Sequence, residues 1–249
     1  AESWFALLDH LLSMAADAAG IAVDEEPLMH QLAGGELPLT LAYLLPEITR
    51  CRKMKSSARK TISGGLVELL DGEGLLHGKH MPQLRPLLAC WTRCGMIGDA
   101  LKGGCFNSAA SAQYEWLVRH ALRFSRPNGT PSFSDPAPPN GDKELFQAAL
   151  HTGGDHDDHE IAAATMPGGR RFGEKPADLG SLPDAATHSE WASTAMLRID
   201  WARTSPRLAV TYHDVSMQAE FSSGKDLLWS GTWALDVRFQ GKAAKPKGT

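Results

Sequence analysis

Trp191-Ala-Ser-Thr-Ala-Met-Leu-Arg-Ile-Asp-Trp201 is the stretch that decides the fold, because here the apolar period changes. Up to about position 166 apolar residues recur every three to four positions; from Trp191 onward they alternate with polar ones. The first period is that of an amphipathic helix and the second that of a strand. An α+β chain is therefore expected, with a helical array leading into a partial antiparallel β-sheet.

Downstream of that stretch, Ser193 to Trp201, Arg207 to His213, Ser216 to Phe221, Asp226 to Ser230 and Trp233 to Phe239 read as short strands. Thr204-Ser-Pro206, Ser223-Gly224 and Gly231 divide them, the pattern of a meander. This is only part of a sandwich. Upstream, residues 167–189 are rich in Gly, Pro and Asp and read as a linker between a helical domain (1–166) and the β module (190–241). Residues 242–249 form a polar tail.

Within the helical part, Ser3 reads as the N-cap of a helix through Phe5, Leu8, Leu12 and Ala15, ending near Gly20. Pro27 to Leu32 is a second helix closed by Gly34-Gly35, and Leu37 to Leu45 a third. Longer helices follow at Arg52 to Leu70, Pro82 to Leu101 and Ser108 to Ser125. Asp71-Gly72 and Asn128-Gly129 each close a long helix, so helix pairs repeat weakly, as in an α/α barrel or solenoid. Ser134 to Gly141 reads as a loop, and Lys143 to Leu150 and Ile161 to Met166 as short helices.

Bulk properties exclude several functions. A formal charge of -4, with no Lys/Arg-rich stripe, argues against a nucleic-acid partner. Apolar runs such as Leu39 to Leu45 are far too short to span a membrane. Neither a signal peptide nor an initiator Met is visible, so the chain reads as a fragment or processed product whose compartment is open. Cys51, Cys90, Cys94 and Cys105 include no CxxC pair and lack a paired His-x-x-x-His. They read as small buried thiols, with Cys90 and Cys94 one helical turn apart on one face. Neither a metal nor a cofactor is expected. His151, Asp155, His156, Asp157, Asp158, His159 and Glu160 have the composition of a metal site. Asp155 as an N-cap, with acidic residues at the positive end of the helix dipole, explains them more simply.

Several stretches resemble the heparinase II/III-like polysaccharide lyases, bacterial-type enzymes that pair an α/α toroid with a β-sandwich. The first is Ile62-Ser-Gly-Gly-Leu66, followed by Leu69-Leu-Asp-Gly-Glu-Gly-Leu-Leu-His77-Gly-Lys-His80. The second is Met196-Leu-Arg-Ile-Asp-Trp201 leading to Leu208-Ala-Val-Thr-Tyr-His213-Asp214. The third is Phe221-Ser-Ser-Gly-Lys-Asp-Leu-Leu-Trp-Ser-Gly231, similar to the hairpin that follows in that family. The resemblance implies β-elimination on an acidic, uronate-containing polysaccharide, and a periplasmic or secreted enzyme. Where the family carries a His-Gly-His-x-Asp-like element, this chain has only Tyr212-His213-Asp214. The Asn and Tyr that the family's toroid contributes have no evident counterpart.

Such chemistry needs a group that neutralises the sugar carboxylate, a base for the C5 proton and an acid for the leaving oxygen. His77 and His213 are the catalytic candidates; His80, Tyr212 and Arg198 are the substrate-binding ones. Arg198, alternating with apolar neighbours, is expected on the open face of the sheet. Trp191 and Trp233 could stack on sugar rings, while Trp201 and Trp229 are expected to fill the seam between sheet and helices. Two readings compete with a lyase: a non-catalytic carbohydrate-binding or scaffold protein, and a helical-repeat interaction module with an appended sheet.

Overall fold

The computed structural model describes residues 2–134, 143–167, 179–213, 216–234, 238–239 and 242–243. Its first helix, α1 (Glu2–Ala19), buries Leu8, Leu12, Ala15 and Ala18, spaced one turn apart on a single face. Ser3 lies inside this helix rather than capping it.

Next, α2 (Pro27–Gln31), a π-helical turn (Leu32–Glu36) and α3 (Leu37–Leu44) follow without interruption. The Gly34-Gly35 pair, expected to close a helix, sits inside this run. Close packing explains it: a Cβ on Gly34 would come within 2.8 Å of the Ala19 backbone nitrogen.

The long helices are α4 (Thr49–Leu69), α5 (Leu84–Asp99) and α6 (Ser108–Arg123), with a 3-10 turn (Gly78–Gln83) leading into α5. Ile62, Leu66, Leu87, Leu88, Trp91, Leu117 and Val118 from these helices form a core closed to solvent. Each such side chain contributes about 1.5–3 kcal/mol of burial. Trp91 keeps its polar atom satisfied, donating from Nε1 to Gln31 Oε1 at 2.8 Å. Asn107 caps α6 by accepting from the Ala110 amide.

Two shorter helices complete the array, α7 (Lys143–Gly153) and α8 (His156–Thr165). The latter begins earlier than the sequence reading at Ile161. Asp155 and Asp158 form a reciprocal capping box at its start, the N-cap role expected of Asp155. Both carboxylates also hold Arg119, which accounts for the acidic cluster as a helix start tied to α6.

Beyond the array, β1 (Thr187–Ser189), β2 (Thr194–Arg198), β3 (Arg207–His213), β4 (Ser216–Ser223) and β5 (Asp226–Ala234) make one antiparallel meander in sequential order. A short β6 (Arg238–Phe239) pairs with β7 (Lys242–Ala243). Strand β1 falls in the stretch read as linker. Gly231, read as a divider, lies within β5 opposite Ala219, so two expected strands are one. No helix among the described residues is long and apolar enough to cross a membrane.

The faces of the sheet invert the usual division. Arg198, Arg207 and Ser222 are aligned across β2, β3 and β4, as are Met196, Ala209 and Glu220, and all six are buried. The opposite face carries Leu197, Leu208, Phe221 and Trp229 in register, with Tyr212, Met217 and Trp233 beside them. Its apolar members Leu197, Met217, Trp229 and Trp233 are exposed.

Two expectations are thereby corrected. Arg198 is not on the open face: it is 7% exposed, stacks over Trp201 and donates from Nε to the Asp200 carbonyl. Trp229 does not fill the seam but lies on the open face, 44% exposed. Trp201 fills it as expected, donating from Nε1 to the Pro183 carbonyl at 2.6 Å.

The seam itself is polar. Arg126 grips the Glu220 carboxylate with two hydrogen bonds of 2.8 and 2.6 Å. Arg207 donates to the Ser125 carbonyl, and Arg123 to the carbonyls of Asp184 and Ala185. Charged hydrogen bonds to backbone carbonyls let an arginine be buried without a carboxylate for each one.

Candidate functional site

The loop from His77 to His80 is pressed against the first hairpin of the sheet. Gly78 makes this possible: its amide donates to the Ala192 carbonyl at 2.6 Å. A Cβ on Gly78 would lie 2.8 Å from the Ser193 carbonyl oxygen and 3.1 Å from Thr211 Cβ, so a larger residue would push the loop off. The helical array and the sheet meet through this glycine, and its neighbours are carried into the seam.

His77 is half-buried. Its Nδ1 accepts from the Lys79 amide at 3.3 Å, which leaves Nε2 as the other functional atom. Its ring lies 5.8 Å from Trp191 and 6.3 Å from His80, both edge-on. Burial lowers its pKa from the ordinary value, and the positive charges of Lys79, His80 and His213 lower it further, against an opposing pull from Asp24. The lowered pKa favours the neutral form of His77 at neutral pH.

His80 is buried, with Nε2 held 3.0 Å from Asp24 Oδ1. Asp24 also receives Lys79 Nζ, and hydrogen bonds from Lys79 and His80 hold its carboxyl below the usual range. Asp24 lies between α1 and α2, remote in sequence from both partners. It orients Lys79 and His80 together, a role that no local spacing could have revealed.

The predicted residues do not all converge. His77 and His80 lie together, their rings 6.3 Å apart, and His213 shares the face of β3 on which Thr211 meets the loop at Gly78. Tyr212 points to the opposite face, since successive strand residues alternate. There its hydroxyl lies 2.8 Å from His188 Nε2, and the two rings stack at 6.2 Å. Burial, then the nearby Glu190 charge, raises the Tyr212 pKa. Arg198 is four residues along β2 from Thr194, about 13 Å away at the rise of a strand. Asp214, the neighbour expected to partner His213, falls outside the described residues. Sequence reasoning missed Asp24, Lys79 and His188, while Trp191 was singled out by its residue type and stands beside His77.

Chemically, the cluster offers a neutral imidazole, a second exposed imidazole, an ammonium group and an exposed indole within one seam. These are proton-transfer and anion-binding groups beside an aromatic platform.

No protein-family model and no curated protein matches the chain. Among solved structures it is similar to heparinase III, with a TM-score of 0.62 and 14% sequence identity. The match covers 80% of this chain and 34% of heparinase III, so the chain spans about a third of that protein's length. The chain has a heparinase-like α+β fold, in which helices lead into an antiparallel sheet and the His77 loop sits where they meet.

Proposed function

We propose that this chain carries the catalytic seam of a heparinase II/III-like lyase, cleaving an acidic, uronate-containing polysaccharide by β-elimination. The observation that carries this reading is the meeting of His77, His80 and Trp191 where helices and sheet join, with Lys79 in the same loop and His213 on the face of β3 that receives it.

In β-elimination a base removes the C5 proton, the electrons form the C4–C5 double bond, and the C4–O bond breaks with protonation of the leaving oxygen. His77, kept neutral by burial, takes the C5 proton. His213, exposed at the end of β3, gives a proton to the leaving oxygen. Lys79 brings positive charge and His80 a hydrogen-bonding imidazole to the sugar carboxylate, which stabilises the carbanion that develops beside it. Trp191, 53% exposed, offers the sugar ring an apolar face. Tyr212 and Arg198 take no part, because one faces away from the cluster and the other is enclosed beneath the sheet.

The test is incubation with a panel of uronate polysaccharides while the ultraviolet absorbance of the unsaturated uronate product is followed. Absorbance should rise with the native protein and stay flat with His77→Ala and with His213→Ala. The acid limb of kcat/KM should lie below the ordinary histidine value of 6.5, because the His77 pKa is lowered. A flat trace from folded native protein across the panel rejects the lyase.

A second reading, carbohydrate binding without cleavage, is favoured by the exposed pair Trp229 and Trp233, whose rings meet edge-on at 5.3 Å on the open face. Polymer that retards the native protein in affinity electrophoresis without releasing product would support it.

A further inference from the structure

We propose that Glu36, Cys90 and Cys94 form a binding site for a thiophilic divalent cation of the Zn2+ class, separate from the His77 cluster. Cys90 and Cys94 lie one turn apart on α5, with both thiols closed to solvent. The π-helical turn Leu32–Glu36 brings a carboxylate to the same spot. One Glu36 oxygen and the two sulfurs lie within 4.8 Å of one another. Ligand atoms about 2.0–2.3 Å from one tetrahedral Zn2+ are roughly 3.5–3.8 Å apart, so small side-chain movements suffice to close the set.

Three further features fit a cation. Arg93 holds Glu36 through two hydrogen bonds, Nε to Oε1 at 2.6 Å and Nη2 to Oε2 at 2.7 Å. That leaves lone pairs on the carboxylate while fixing its direction, as an outer-shell partner of a metal ligand does. Charge also balances: two thiolates and a carboxylate against a guanidinium and a divalent cation leave the enclosed site neutral. Glu36 has a side-chain exposure of 16%, so the set borders solvent at its carboxylate, the side from which a water would complete the coordination. Binding replaces two thiol protons by the cation, and both protons leave to solvent. The spacing of the cysteines alone did not suggest this, because the third donor comes from a different helix.

The experiment uses Co2+ and Zn2+ with reduced, chelator-treated protein. Titration with Co2+ should give sulfur-to-cobalt charge-transfer absorption saturating at one equivalent, and Zn2+ should bleach it. The band should vanish in Cys90→Ser/Cys94→Ser and persist in Cys51→Ser/Cys105→Ser. Arg93→Gln should weaken Co2+ binding about 10- to 100-fold. No band in the native protein, or a band that survives the Cys90→Ser/Cys94→Ser change, overturns the site. Should that double variant not fold, alkylation rates mapped by mass spectrometry decide. Zn2+ should protect Cys90 and Cys94 selectively in the native protein, and equal rates with and without Zn2+ overturn the proposal.

Discussion

The core of the helical array and the seam beneath the sheet are equally closed to solvent but are built from opposite chemistry. The core holds Leu87, Leu88, Trp91, Leu117 and Val118. In the seam, Arg123, Arg126, Arg198, Arg207 and Glu220 are buried together. In the first region burial is favourable by itself. In the second, each guanidinium depends on a carbonyl or carboxylate being in place. The core therefore tolerates small losses of shape, whereas the seam fails when one partner is removed.

The largest effect is expected from Glu220→Ala, which strands the Arg126 guanidinium and the Phe133 amide that the carboxylate accepts from. A loss of about 3–5 kcal/mol should follow, measured by denaturant unfolding. Replacing Arg126 and Glu220 together by Met should recover most of it, because no buried charge is then left alone. If the double variant is as unstable as Glu220→Ala, the seam depends on more than pairing and the contrast with the core is weaker than drawn.

In the core, Leu88→Ala should cost about 2–5 kcal/mol through a cavity, with no change in how stability depends on pH. A pH-dependent loss there would break the comparison from the other side.

A third test exploits His120, which is enclosed at the seam between the Glu73 carbonyl and Arg123. Burial, then the Arg123 charge, pushes its pKa down to about 3 from an ordinary 6.5. Between those values the unfolded chain binds a proton that the folded one does not. This contribution therefore makes stability fall as pH drops below 6.5 and levels off below about 3. The slope from this one group is at most about 1.4 kcal/mol per pH unit. His120→Gln should flatten the acid limb in a series of melting curves, and identical limbs would remove His120 from the account.

The smallest effect is expected on the open face, where Trp229→Ser should change stability by only about 0.5 kcal/mol. A larger loss would mean that something covers this face in solution.

Much of the array was legible because helical periodicity is local: α4, α6 and the Asp155 cap follow from residues within a turn or two of each other. Strand β3 was read with its limits at Arg207 and His213, since Thr204-Ser-Pro206 marks where it begins. The faces of the sheet were not legible. Alternation tells which residues share a face, but not which face meets the helices. Arg198 and Trp229 were assigned by hydrophobicity, and both were reversed. The candidate site was legible in part. His77, His80 and His213 were chosen for residue type and loop position, while Asp24 and Lys79 matter only through a contact between distant segments.

By itself the sequence determined the α+β order, the positions of most helices and strands, and the burial of Trp201 and the four cysteines, because these depend on period and local hydrophobicity. Only the tertiary structure decided that the charged face of the sheet is the buried one, that Gly78 docks the histidine loop on β3, and that Glu36 joins Cys90 and Cys94. Each is a meeting of segments far apart in the chain, and such meetings are set by packing and by where buried donors find acceptors.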